Sequence, residues 1–153
     1  VVISPLPFEV LSHALQALSH MQWGGQAGLL RFYDPRIFPM LMASILTQEQ
    51  REQYLQVASY WGWLDRDDQP QWLQGNCLRD QINIDIRPFV DLSDEQCELI
   101  GRIADTQKLL NGGEFDHLED SKERRFALLY SKVAQANQEN YFGDLRDYMK
   151  QEF

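Results

Sequence analysis

Gly28-Leu29-Leu30-Arg31-Phe32-Tyr33-Asp34-Pro35-Arg36-Ile37-Phe38 is the stretch on which the fold turns. Leu29, Leu30 and Phe32 make a short apolar run with β-forming character, which predicts a strand buried on both faces. Asp34 suits a helix N-cap, where its carboxylate can accept the free N–H groups of the next turn. Pro35 fits the first helical position, where its missing N–H costs nothing and its φ is already helical. The stretch therefore predicts a buried strand running straight into a helix. Its charges are the odd feature. Arg31 lies inside an apolar strand, and Arg36 puts a cation in a first helical turn, against the helix dipole. Arg36 is therefore expected to have a carboxylate or carbonyl partner elsewhere in the chain. Arg31, Asp34 and Arg36 read as a polar cluster, either a cap with a buried ion pair or a catalytic corner. Breaking a buried pair would cost ~3–5 kcal/mol.

Composition narrows the classes. The chain has 153 residues, 44% hydrophobic and 12% aromatic, enough for one domain or two small lobes with a packed interior. A net charge of −9 argues against a nucleic-acid binder, which needs basic surface to displace counterions, and against anionic membrane surfaces. Cys77 and Cys97 lack metal or CxxC spacing and read as two reduced thiols of a cytosolic protein. No run approaches the ~18–20 apolar residues of a membrane span. The chain opens Val1-Val2-Ile3-Ser4, without Met and already in strand pattern, so a fragment lacking its upstream part is expected.

Outward from the corner, the chain alternates strand and helix. Val1 to Ile3 reads as a strand end, stopped by Pro5 and Pro7. Phe8, Leu11, Leu15 and Leu18, with Ala14 beside them, predict a helix from Phe8 to about Met21, ended by Gly24-Gly25. A helix from Pro35 to about Leu46 follows the corner, with Pro39 tolerated near its start. Thr47 and Gln50 form a capping box for a helix to about Val57. Ser59 to Leu64 reads as a strand, Asp65 to Pro70 as a turn, and Gln71-Trp72-Leu73 as the returning strand of a hairpin. Ile82, Ile84 and Ile86 alternate with Asn83 and Asp85 and predict a further strand.

From about residue 88 the pattern is helical. Ser93 and Gln96 make a second capping box. The helix it opens is predicted to reach Leu110, burying Cys97, Ile100, Ile103, Ala104 and Leu110, and to stop at Asn111-Gly112-Gly113. Helices from Lys122 to Asn137, with a stripe of Phe126, Leu129, Tyr130 and Val133, and from Tyr141 to Gln151 complete the chain. The expected fold class is α+β. An α/β lobe over residues 1–87, truncated at its start, is followed by a helical lobe over 88–153.

Candidate chemistry is sparse. His13 and His20, seven apart on one predicted helix, would lie roughly 10 Å apart along its axis, too far for one metal ion. Asp116-His117 has no third partner in register, so no metal and no cofactor are expected. Cys97 reads as a small buried hydrophobe, whereas Cys77 follows Gly75-Asn76 in a loop and is expected to be more accessible. No nucleophile elbow or phosphate loop occurs. Trp61 and Trp63, two apart in a strand, share a face; with Trp23, Trp72 and Tyr60 they read as either core or a partner-binding surface. The hairpin also leaves an edge open to strand addition.

The segments Ser12-His13-Ala14-Leu15, Leu29 to Arg36 and Leu46-Thr47-Gln48-Glu49-Gln50 together resemble the adaptor-chaperone domain of bacterial type VI secretion. That domain carries an Arg-Phe-Tyr-Asp-Pro-Arg corner, a Leu-Thr-x-Glu-Gln helix start and a tryptophan strand, here Trp61-Gly62-Trp63. Its second lobe opens with a helix start matched by Leu92-Ser93-Asp94-Glu95-Gln96. The resemblance implies a non-enzymatic factor that binds one effector protein in the cytoplasm and helps mount it on the VgrG spike. On that reading Arg31, Asp34 and Arg36 form a structural motif, and Tyr33, Trp61 and Trp63 are candidates for partner contact. The alternative is a small cytosolic enzyme with its site at Asp34 and Arg36.

Overall fold

The computed structural model describes residues 1–77 and 84–153. The fold is α+β with a helical C-terminal part, and the chain divides into two compact units, Val1–Cys97 and Glu98–Phe153.

The first unit holds two three-stranded sheets. β1 (Val2–Ile3) pairs antiparallel with β4 (Tyr60–Leu64), which pairs antiparallel with β5 (Pro70–Gln74). The hairpin and the turn over 65–69 follow the sequence expectation. Asp65 organises that turn, its carboxylate accepting the N–H groups of Asp67 and Gln69 at 2.9 Å each.

The second sheet was not foreseen. α1 (Phe8–Ser19) stops two residues before the expected end, and β2 (His20–Trp23) leads into β3 (Gln26–Leu29). Gly24 and Gly25 have φ of +55° and +78°. Two consecutive positive φ values define the tight turn that matches strand twist, so this glycine pair joins a hairpin rather than ending a helix. His20 consequently lies on a strand, away from the helix that carries His13. β6 (Val90–Asp91) adds to β2 in parallel. Among the described residues 84–87 there is no strand; Ile82 and Asn83 lie outside them.

The opening stretch folds differently from its prediction. β3 ends at Leu29 and is exposed along its length. The chain then leaves the sheet, and Leu30 and Phe32 are buried from a turn segment instead. The next helix starts at Phe38, four residues after Asp34. α2 (Phe38–Met40) is a single turn, with Pro39 near its start as expected. It passes into a π-helical segment, Leu41–Ile45, closed by the Leu46 N–H on the Leu41 carbonyl at 3.0 Å.

α3 (Gln48–Leu55) begins at the predicted capping box, with the Thr47 hydroxyl on the Gln50 N–H and the Gln50 side chain on the Thr47 N–H. α4 (Asp94–Asn111) begins at the second box, Ser93 with Gln96. The two boxes are joined. Gln96 Nε2 donates to Gln50 Oε1 at 2.7 Å and to the Ile45 carbonyl at 2.9 Å, and Gln50 Nε2 donates to the Asp91 carbonyl at 2.6 Å. Gln96 is buried. The amide dipoles of two helix starts are thus closed into one network beneath the π segment.

Burial corrects several expectations. Phe8 is 78% exposed, and Leu6, Ala14 and Leu18 supply the buried side of the α1 region. Cys77 is buried and Cys97 half-buried, the reverse of the order expected from their sequence contexts. Gly75 explains the first: a Cβ there would lie 2.0 Å from the Ala58 carbonyl oxygen, so the chain carrying Cys77 runs hard against the end of α3.

The second unit comprises the rest of α4, then α5 (Lys122–Gln138) and α6 (Leu145–Glu152). α4 buries Ile103, Thr106, Leu109 and Leu110, while Ala104 is exposed. Thr106 is accommodated because its hydroxyl donates to the Arg102 carbonyl at 2.8 Å. α5 buries Phe126, Leu129 and Val133 as predicted, adds Ala136, and half-buries Tyr130. Buried Arg125 is paired with Asp116 and donates twice to the Glu119 carbonyl. α6 starts four residues later than the aromatic pattern suggests, because Asp144 caps it and accepts the Arg146 N–H. Among the described residues no helix is long and apolar enough to cross a membrane.

Candidate partner-binding groove

An aromatic chain runs from the core of the first unit to its surface. Tyr54 is fully buried, and its hydroxyl donates to the Leu18 carbonyl at 2.9 Å. Its ring meets Phe32 at 5.2 Å, and Phe32 meets Trp61 at 5.9 Å, both edge-on. Phe38 touches Trp61 at 5.2 Å and Trp63 at 5.4 Å, while Tyr33 joins Phe32 at 5.6 Å. Edge-to-face pairs of this kind each contribute ~0.5–1.5 kcal/mol beyond area burial. Strand alternation explains the geometry. Trp61 and Trp63 point to one face of β4, as predicted, where Phe38 lies against both. Tyr60, Gly62 and Leu64 point to the other face, where the Trp72 ring covers Gly62.

The surface end of this chain is a groove of about 340 Å³. Tyr33, Pro35, Phe38, Trp61 and Trp63 line it, with Val2 of β1 and Leu15 of α1 also on its walls. Tyr33 is 62% exposed and Trp61 only 4%. The indole Nε1 of Trp61 is buried without a hydrogen-bond partner among the described residues. Three residues picked from sequence therefore meet in one place: Tyr33, Trp61 and Trp63. Phe32, Phe38 and Val2 were missed as site residues, because an aromatic or β-branched residue in a buried pattern carries no local mark that one edge reaches solvent.

Arg31, Asp34 and Arg36 sit beside the groove, not in its floor. The Asp34 carboxylate accepts the Arg36 N–H at 2.9 Å, its Nε at 2.9 Å and its Nη2 at 2.7 Å. The partner of Arg36 is thus not elsewhere in the chain but the neighbouring Asp34, which caps no helix here. The pair is not buried: the Arg36 side chain is 53% exposed and that of Asp34 15%. Arg36 hydrogen bonds hold the Asp34 carboxyl below the usual carboxylate range, against a smaller opposing effect of burial. A carboxylate with both oxygens engaged in this way is a weak base. Arg31 is exposed in the preceding turn, where its carbonyl accepts the Asp34 N–H at 3.1 Å. Arg66 reaches the same corner, donating to the Arg36 carbonyl at 3.2 Å.

Other candidate chemistry is not assembled. Burial raises the pKa of both thiols, keeping them protonated near neutrality. Among the described residues no group of three or more His, Cys, Asp or Glu side chains could hold a metal ion.

A protein-family model described as a domain of unknown function, DUF4123, matches residues 1–53. Residues 1–53 are similar to DUF4123. The DUF4123-like segment runs from β1 through the corner and most of α3. It contains Tyr33 and the Asp34–Arg36 pair and stops short of the tryptophan strand. DUF4123 is associated with type VI secretion effector adaptors. No curated protein and no solved structure matches the chain.

Proposed function

We propose that this chain is part of a non-enzymatic adaptor that binds a type VI secretion effector in the cytoplasm and helps to load it onto the VgrG spike. The observation that carries the reading is the aromatic groove of Tyr33, Trp61 and Trp63, built against the DUF4123-like segment. A groove with aromatic walls and no charged side chain in its lining suits an apolar segment of another protein. Large aromatics concentrate binding energy in such sites while losing little side-chain entropy. The mechanism is stoichiometric. Holding the segment removes its apolar surface from water until the effector reaches the spike. Arg31, Asp34 and Arg36 serve as the structural corner that presents Tyr33 and Pro35 to the groove.

The enzyme alternative needs Asp34 or Arg36 to act on a substrate. Their mutual pairing leaves Asp34 poorly basic.

The test is co-purification of the tagged chain from a bacterium with a type VI system. Recovery of one effector together with VgrG is expected, with recovery lost in Tyr33→Ala/Trp63→Ala. Recovery of neither, or undiminished recovery with the double variant, would overturn the reading.

A further inference from the structure

Three observations at the groove and its surroundings bear on the chemistry of the segment held. The twelve lining residues include no acid, in a chain with 23. Residues 1–97 contain six arginines and no lysine, and three of those arginines, Arg31, Arg36 and Arg66, gather at the corner beside the groove. Arginine is suited to this place, since its planar guanidinium offers a fork of donors that matches a carboxylate. Arg36 spends only part of its fork on Asp34, which neutralises one charge, and more than half of its side chain faces solvent. Arg31 is exposed one residue before Phe32.

β1 adds the third observation. Val1 exchanges hydrogen bonds with Gly62, its N–H group at 2.8 Å and its carbonyl at 2.9 Å. In an antiparallel pair such residues alternate with ones whose N–H and C=O point away from the partner strand. Val2, opposite Trp61, is therefore the residue whose backbone groups face away from β4, on the side where no strand lies among the described residues, and Val2 lines the groove. The groove thus offers apolar walls and outward-facing backbone groups of Val2, and the adjoining corner carries Arg31, Arg36 and Arg66 against the single acid Asp34.

We infer that the groove takes an extended, acidic-apolar segment of the effector, with an aliphatic or aromatic side chain seated between Tyr33 and Trp63 and a neighbouring carboxylate on Arg31 and Arg36. The inference rests on the adaptor reading for the identity of the partner, but its chemistry is separately testable. It also runs against the overall charge of −9, which taken alone would favour a basic segment.

The experiment is selection from a phage-displayed library of random dodecapeptides on the chain. Synthetic copies of the winners are then titrated by fluorescence anisotropy. Enrichment of Asp or Glu beside an apolar residue is expected. Affinity should fall at least tenfold in Trp63→Ala and in Arg31→Glu, and fall with added salt. Arg31 is exposed, so Arg31→Glu tests charge with little risk to folding; circular dichroism of both variants checks this. A charge-swapped peptide, Lys for Glu, should recover binding to Arg31→Glu. Basic or uncharged winners, winners indifferent to both substitutions, or no winners would overturn the inference. A concentration-dependent dimer lost in Trp63→Ala would also overturn it, making a second copy the occupant. If acidic peptides bind as described while the effector co-purifies undiminished with Tyr33→Ala/Trp63→Ala, the groove chemistry stands and the adaptor reading falls.

Discussion

Gln96→Ala is the sharpest probe of how the first unit holds together. Gln96 is 7% exposed, and its amide serves four contacts. It accepts the Ser93 N–H at 3.1 Å, donates to the Ile45 carbonyl at 2.9 Å and to Gln50 Oε1 at 2.7 Å, and meets Gln50 Nε2 at a long 3.4 Å. Truncation leaves two backbone groups without these partners, the Ile45 carbonyl and the Ser93 N–H. A buried polar group left unsatisfied costs ~1–3 kcal/mol. Gln50 keeps its bonds to the Thr47 N–H and the Asp91 carbonyl, so it adds little. The expected loss is about 2–4 kcal/mol, a large share of the ~5–15 kcal/mol typical of a domain. The assay is urea unfolding followed by tryptophan fluorescence. Trp23, Trp61, Trp63 and Trp72 all lie within residues 1–97, so the signal reports the first unit alone. Gln96→Glu makes the argument stricter. It preserves shape and the acceptor for Ser93, but sets a carboxylate oxygen against the Ile45 carbonyl and Gln50 Oε1. It should therefore destabilise at least as much as alanine. A shift under ~0.5 kcal/mol for Gln96→Ala would refute the joined capping boxes as a stabilising element.

Four further outcomes follow from the geometry. Arg36→Ala should cost no more than ~1 kcal/mol, because an ion pair with a half-exposed partner is screened by water. Arg36 lowers the Asp34 pKa, so that small contribution is present at neutral pH and lost as the pH falls through the Asp34 pKa; acid titration of stability in wild type and variant checks both points. Gly75→Ala should destabilise severely or prevent folding, since its Cβ would meet the backbone oxygens of Ala58 and Leu55 at 2.0 and 2.8 Å; chemical denaturation against wild type measures it. Trp61→Ala should cost about 3–5 kcal/mol as a core truncation, while half-buried Trp63→Ala should cost clearly less, a contrast that parallel melts would read directly. Burial, helped by Glu139, pushes the Tyr148 hydroxyl up to about 12, and burial also raises that of Tyr54. Both should remain protonated when exposed tyrosines ionise, and stability should fall as the pH rises from the ordinary tyrosine range toward 12, as followed by phenolate absorbance and far-ultraviolet circular dichroism.

Local chemistry made much of this chain legible. Both capping boxes are where Thr47-x-x-Gln50 and Ser93-x-x-Gln96 place them, because a cap is satisfied within four residues. The Trp61–Trp72 hairpin and the Phe126-Leu129-Val133 stripe follow from periods of two and of three to four. The same reasoning failed where two periods overlapped. The helical spacing of α1 runs on through Met21, and only the pairing of His20–Trp23 with Gln26–Leu29 and Val90–Asp91 tells a strand from a further helical turn. The opening stretch failed for a related reason. Its apolar residues are buried, but Leu30 and Phe32 reach the core from a turn, since burial depends on where the chain passes and not on which element carries it.

The amino-acid sequence by itself determined the α+β class, the two helix starts marked by capping boxes, the placing of Asp34 and Arg36 two residues apart, and the aromatic identity of Tyr33, Trp61 and Trp63. Only the tertiary structure decided that the pair is exposed, that Gln50 and Gln96 close one network, and that Tyr33 from the corner and Trp63 from the hairpin face one groove. The first set rests on hydrogen bonds and spacings within a turn or a strand. The second depends on contacts between residues some thirty to fifty positions apart, which arise only when the sheets and the π segment have packed.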